Sequence, residues 1–136
     1  MDKGSLLEAL NGALSQEYAD YIAYKAQAST ITSLNAQPLR EMLEELADDE
    51  VEHAARLRER IVALGGVPTM VVAQPKTATG VEKILALVIS SEEEAVAMYT
   101  PIWQSIPDEE VLLKETIEHL LIDEQEHVEE LKRLKD

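Results

Sequence analysis

The sequence predicts an all-α protein, a bundle of four helices arranged as two antiparallel hairpins. Apolar residues recur at alternating steps of three and four along four separate segments, which is the spacing of one face of a helix. No segment shows the strict alternation of a half-buried strand. The length of 136 residues suits one domain, which we take to span residues 1–136.

Four apolar stripes place the helices along the chain. They run from Leu7 to Ala28, from Leu39 to Leu64, from Leu85 to Ile102 and from Leu113 to Leu134. The first stripe includes Tyr21, which we therefore expect to face the core. Few residues separate the first two stripes or the last two, so each pair predicts an antiparallel hairpin.

The two predicted hairpins are joined by a longer segment, from Gly65 to Ala78, that is rich in Val, Pro and Thr. At about 3.3 Å per extended residue, this segment reaches about 45 Å. That length is sufficient to run from one end of a helical bundle to the other. We therefore expect a long crossover between the hairpins.

The composition limits the classes of partner. The chain has 27 acidic and 12 basic residues and a net charge of −15, the wrong sign for binding nucleic acid or anionic lipid. It has no cysteine, which excludes disulfides, thiolate zinc sites and iron–sulfur clusters. The start Met1-Asp2-Lys3-Gly4 lacks the basic and apolar runs of a signal peptide, so a cytoplasmic protein without membrane segments is expected.

Polar residues on the apolar stripes repeat between the two halves of the chain. Glu17 and Tyr24 recur as Glu92 and Tyr99 at one constant offset. The run from Asp49 to His53 recurs as the run from Asp123 to His127 at an offset one residue shorter. Each half therefore contributes one Glu and one Glu-x-x-His, as in a duplicated helical hairpin.

This repeated pattern predicts a dinuclear metal site. Carboxylates on core-facing positions cost roughly several kcal/mol each if they stay unpaired, and no Lys or Arg lies on the four stripes. Two divalent cations would balance four such carboxylates. Residues three apart on a helix share a face, and this donor set is that of di-iron and di-manganese bundles. The predicted ligands are Glu17, Glu50, His53, Glu92, Glu124 and His127.

At these residues the sequence resembles the bacterioferritin and rubrerythrin branch of the ferritin-like superfamily. The similarity is closest from Glu50 to Pro68, where Glu-x-x-His-Ala is followed by Leu57, Glu59-Arg60-Ile61, Leu64 and Gly66 in bacterioferritin-like order. The resemblance implies a ferritin-like four-helix bundle with two iron ions per chain, or manganese in their place.

The resemblance also implies roles for individual residues. Glu50 and Glu124 would bridge the metals, while Glu17 with His53 and Glu92 with His127 would each hold one of them. Tyr24 and Tyr99 would contact the carboxylates and assist catalysis. Asp49 and Asp123 would orient the histidines through hydrogen bonds.

Two differences from the family narrow the expected cofactors. Bacterioferritins hold haem through a Met directly after the bridging Glu of the second helix, and Val51 stands at that position, so no haem is expected. Rubrerythrins usually add a cysteine-ligated iron domain, which a chain without cysteine does not have.

Three functions fit these residues. The first is a ferroxidase that oxidises Fe²⁺ with dioxygen or peroxide in iron homeostasis or detoxification. The second is a rubrerythrin-like peroxidase that an external donor returns to the ferrous state. The third is a non-catalytic bundle held together by its metals. Because the chain stops soon after the fourth stripe and is strongly acidic, we expect a homo-oligomer, with a dimer favoured over a 24-subunit cage.

Overall fold

The computed structural model describes residues 1–135, which form four long helices and contain no strand. The helices are α1 (Lys3–Thr30), α2 (Gln37–Ala63), α3 (Val81–Ser105) and α4 (Val111–Arg133). A single 3-10 turn, Leu34–Ala36, precedes α2. The predicted all-α four-helix bundle is confirmed.

The helix ends follow local sequence signals. The backbone N–H of Ser5 donates to Asp2 Oδ1 at 2.7 Å and caps α1. Pro38 lies in the first turn of α2, where a helix does not use the missing N–H. Gly65 ends α2 with a φ of +85°, a conformation that favours glycine because it has no Cβ.

The segment between α2 and α3 runs along α1 from one end of the bundle to the other. The N–H of Thr69 donates to Asn11 Oδ1 at 2.8 Å, and the N–H of Ala78 donates to Gln27 Oε1 at 3.1 Å. The two contact points on α1 are about 24 Å apart along the helix axis. The long crossover is thus confirmed, and it makes α3 antiparallel to α1 and parallel to α2.

Two apolar clusters fill the bundle on either side of its middle. One cluster contains Leu10, Leu14, Leu57 and Ile117. The other contains Leu43, Leu46, Val88 and Leu131. Along each helix, the buried glutamates and histidines lie between the residues of these two clusters.

The structure corrects one residue of the first stripe. Tyr21 is 38% exposed, whereas Asp20 beside it is buried. Both positions flank the inward-facing line from Glu17 to Tyr24, so helical spacing alone does not choose between them. Because α1 packs against both α2 and α3, Asp20 faces the acidic side chains of α3 and Tyr21 lies on the α1–α2 surface.

α3 continues through Pro101 to Ser105. Among the described residues, no helix combines the length and the hydrophobicity that are needed to cross a membrane.

Candidate metal centre

The four helices bring all six predicted ligands together in the middle of the bundle. Their donor atoms form two overlapping groups, and within each group these atoms lie within 4.8 Å of one another. The first group is Glu17, Glu50, His53 and Glu124, and the second is Glu50, Glu92, Glu124 and His127. All six side chains are buried.

Glu50 and Glu124 belong to both groups, and they are the most poorly satisfied side chains of the site. Both are 0% exposed, and none of their four carboxylate oxygens has a hydrogen-bond partner in the part of the chain that the structure describes. Buried carboxylates without partners carry a large desolvation cost. One cation held by each group would supply the missing partners, so this donor set fits a dinuclear metal site.

The two histidines point the same ring nitrogen into the site. His53 Nε2 lies 3.0 Å from Asp123 Oδ2, and His127 Nε2 lies 2.8 Å from Asp49 Oδ2. A proton held on Nε2 by these carboxylates leaves the Nδ1 lone pair free for a metal. Nδ1 of His53 already lies 3.1 Å from Glu124 Oε1, on the inner side of the ring.

Each tyrosine crosses the bundle to a glutamate of the other hairpin. The hydroxyl of Tyr24 donates to Glu92 Oε1 at 2.9 Å, and the hydroxyl of Tyr99 donates to Glu17 Oε1 at 2.6 Å. Both rings are buried, Tyr99 in one apolar cluster and Tyr24 in the other. The tyrosines therefore fix one oxygen of Glu17 and one of Glu92 while the second oxygen stays on the metal side.

We expect Tyr99→Phe to weaken metal binding by roughly 10-fold to 100-fold, because Glu17 loses the donor that orients its carboxylate. Thr100→Val is a suitable control, since it removes a hydroxyl of the same helix that donates to the Val96 carbonyl, away from the site. Calorimetric titration with Co²⁺ measures the affinity of both variants. Equal affinities for Tyr99→Phe and Thr100→Val would contradict the orienting role.

In the metal-free site, burial and repulsion between the carboxylates raise the pKa of the shared glutamates. Burial and the negative charge of Glu17 raise the pKa of Glu50 well above its ordinary value. Burial and the charge of Glu92 do the same to the pKa of Glu124. Burial lowers the pKa of His53, but its hydrogen bond with Asp123 and the nearby carboxylates of Glu124 and Glu17 outweigh burial and raise this pKa to about 12. Without metal, protons therefore compensate the clustered carboxylates.

Asp20 is the second buried carboxyl group of α1, beside Glu17, and it is not among the predicted site residues. Its Oδ1 accepts a hydrogen bond from Gln16 Nε2 at 3.0 Å. Burial raises its pKa to about 8, and the nearby charges of Glu17 and Glu92 add to this effect. The spacing of three residues from Glu17 is the signal that could have placed Asp20 on the inward face.

A helical bundle with two overlapping carboxylate and histidine donor sets has the architecture of the di-iron and di-manganese carboxylate proteins. The family comparison agrees with this class. The chain belongs to the ferritin-like family, whose ferritin-like domain matches residues 7–136. None of the curated proteins compared with this chain matches it significantly.

Solved structures give the same fold. A ferritin-like, diiron-carboxylate protein from Bacillus anthracis str. Ames is 32% identical, with a TM-score of 0.92 and 100% of both chains covered. The dodecameric thioferritin of Bacteroides fragilis, a bacterioferritin-related protein, is 26% identical, with a TM-score of 0.90 over 98% of this chain and 85% of that one. Rhodobacter capsulatus bacterioferritin, at 21% identity and a TM-score of 0.85 over 98% of this chain and 84% of that one, shares the fold.

Proposed function

We propose that this protein is a ferroxidase, which binds two Fe²⁺ ions between its helices and oxidises them to Fe³⁺. One observation carries the proposal: two four-residue donor groups share Glu50 and Glu124, whose buried oxygens have no hydrogen-bond partner among the described residues. Oxygen and nitrogen donors suit iron or manganese better than soft metals. Six side chains shared by two ions also leave coordination positions free for an oxidant.

The proposed reaction takes one electron from each of the two ferrous ions. Dioxygen accepts the two electrons and two protons to become hydrogen peroxide, and hydrogen peroxide accepts two of each to become two waters. The protein binds the iron pair and fixes the spacing between the ions. Glu50 and Glu124, which belong to both donor groups, would hold the ions together with Glu17, Glu92 and the two histidines, and Asp49 and Asp123 would keep the histidines in the orientation that the metals need.

Stopped-flow absorbance tests this function. Metal-free protein receives two Fe²⁺ ions per chain without oxygen and is then mixed with dissolved dioxygen or with peroxide. Ferric absorbance should appear much faster than in buffer that contains the same iron without protein. Oxidation no faster than that of free iron would contradict the proposal.

The same experiment distinguishes a ferroxidase from the two other functions that fit the sequence. Fast oxidation by peroxide, followed by repeated turnover when an external reductant is added, would indicate a rubrerythrin-like peroxidase. Stable metal binding without reaction toward either oxidant would indicate a metal-stabilised bundle without catalysis. Anomalous scattering at the iron and manganese edges, measured on crystals of protein purified without added metal, identifies the resident metal.

We also infer a homodimer in which helices pack side by side. Exposed apolar side chains lie together on α1 and the crossover, namely Tyr21, Ile22, Met70 and Val72. Contiguous apolar surface of this kind marks interaction sites. Light scattering coupled to size exclusion should give the mass of two chains. A mass near 24 chains would contradict this prediction and would favour iron storage over detoxification.

A further inference from the structure

A small cleft on the α1–α2 surface reaches the metal centre from outside. It has a volume of about 90 Å³, and most of its lining is apolar. Four side chains of the lining form its walls, Tyr18 and Tyr21 from α1 and Val51 and Ala54 from α2. Arg58 lies in the same lining, one helical turn beyond Ala54.

The burial of these residues gives the cleft a rim and a floor. Val51 is 48% exposed and Tyr21 is also exposed, so both belong to the rim. Glu17 and Glu50 also line the cleft, and both are buried, so they belong to the floor. Glu17 Oε2 and both oxygens of Glu50 have no hydrogen-bond partner among residues 1–135. The cleft thus ends on donor atoms of the first metal group.

In the duplicated half, the corresponding surface does not reach the predicted ligands. On α3 and α4, the positions that correspond to Tyr18, Tyr21, Val51 and Ala54 carry Glu93, Val96, Gln125 and Val128. These residues line a broad surface depression, and none of the six predicted ligands lines it. The two hairpins share their ligand pattern, but of these two matching surfaces it is the one on the first hairpin that is lined by predicted ligands.

We propose that this cleft admits dioxygen to the metal pair. The inference rests on the proposed function and selects dioxygen over peroxide as the molecule that travels through the cleft. Dioxygen is small and uncharged and loses little by leaving water for an apolar wall. Hydrogen peroxide would give up hydrogen bonds to water, and the Tyr18 hydroxyl cannot donate to it while donating to the Thr69 carbonyl at 3.1 Å.

The same lining does not suit Fe²⁺. The guanidinium of Arg58 has no ion-pair partner within 4.0 Å in the described part of the chain, so its positive charge acts on the cleft directly. A hydrated divalent cation would meet this charge, and the walls above Glu17 and Glu50 offer it no carboxylate. Iron should therefore reach the site by another route, and blocking the cleft should leave iron binding intact.

Two matched variants test whether dioxygen enters through the cleft while iron enters elsewhere. Val51→Trp adds a large ring at the rim of the cleft, and Gln125→Trp makes the same change at the corresponding exposed position of α4. We expect Val51→Trp to slow oxidation by dioxygen about tenfold or more, because the approach to the metals is obstructed. Gln125→Trp should react at the wild-type rate, and both variants should bind two Fe²⁺ per chain without oxygen. Ala54→Leu, which fills the cleft deeper inside, should repeat the slow reaction.

Xenon binding to metal-free crystals gives a readout that does not depend on catalysis. Xenon under pressure should occupy the cleft in the wild type and in Gln125→Trp, and it should be absent in Val51→Trp. The cleft shares Tyr18 and Tyr21 with the apolar surface inferred for the dimer, so the mass of each variant is measured as well.

Failure of the dioxygen route and failure of the ferroxidase function would give different experimental results. Equal oxidation rates for Val51→Trp and Gln125→Trp, an empty cleft under xenon in the wild type, or an equal slowing with peroxide would each overturn the dioxygen route. A wild-type protein that binds iron but never oxidises it would overturn the ferroxidase function, and the xenon result would still decide whether the cleft takes a small apolar molecule.

Discussion

Glu50→Gln or Glu124→Gln should abolish rapid oxidation of Fe²⁺ while the metal-free protein remains helical. Each side chain belongs to both donor groups, so its replacement by a neutral amide of the same shape removes the shared ligand from both metals. The metal-free fold should tolerate the change, because a buried carboxylate without a partner costs free energy that an amide does not. The free energy of unfolding of the metal-free protein should rise by roughly 1–3 kcal/mol.

Glu126→Gln is a matched control for Glu124→Gln. Glu126 lies on the same helix, is exposed and belongs to neither donor group. Stopped-flow absorbance measures oxidation, and circular dichroism during urea titration measures helix content and stability. Loss of the helical signal in metal-free Glu124→Gln, under conditions where the wild type is folded, would show that the carboxylate supports the fold rather than the chemistry.

Metal loading should stabilise the bundle strongly. A ligand present at about 1,000 times its Kd adds ~4 kcal/mol to the free energy of unfolding. For a domain of this size that corresponds to a rise in Tm of about 10 °C or more. Mn²⁺ is the probe, because it allows thermal unfolding to be followed in air without the rapid oxidation expected of Fe²⁺.

A rise in pH should lower the stability of the metal-free protein and should increase the stabilisation that Mn²⁺ provides. The pKa of His53 is raised to about 12 from 6.5, and that of His127 is raised as well. Stability gained from binding these protons is complete below about pH 6.5 and is lost as the pH rises toward the folded-state pKa. The pKa values of Glu50 and Glu124 are also raised, so these side chains likewise lower the stability of the metal-free protein as the pH rises above 4.5. Metal binding needs the deprotonated side chains, so the stabilisation by Mn²⁺ should increase with pH.

Melting curves between about pH 6.5 and 9 test both of these pH effects. The Tm of the metal-free protein should fall across this range, and the increase caused by Mn²⁺ should grow. A pH-indicator dye should also report proton release when Mn²⁺ is added at neutral pH. A constant Tm of the metal-free protein, together with no proton release, would mean that protons do not occupy the site in the absence of metal.

The sequence by itself determined the helices and the set of candidate ligands. Apolar spacing placed the four helices, and the repeat of Glu17 and the Glu50 to His53 pair in the second half identified six inward-facing side chains that the structure brings together. This was possible because helical periodicity is a local property, and because carboxylates on a buried face without basic partners require another source of positive charge.

Only the tertiary structure decided which side chains meet across the bundle. Asp49 bonds to His127 and Tyr24 to Glu92, each in the other hairpin, and the sequence repeat is equally compatible with partners within one hairpin. The choice depends on how far each helix is rotated about its axis and shifted along it, which is set by packing between helices. The same packing buried Asp20, exposed Tyr21 and opened a cleft to Glu17 and Glu50 on the first hairpin. The matching depression of the second hairpin is lined by none of the six predicted ligands, because the side chains around the two duplicated sites differ in size and charge.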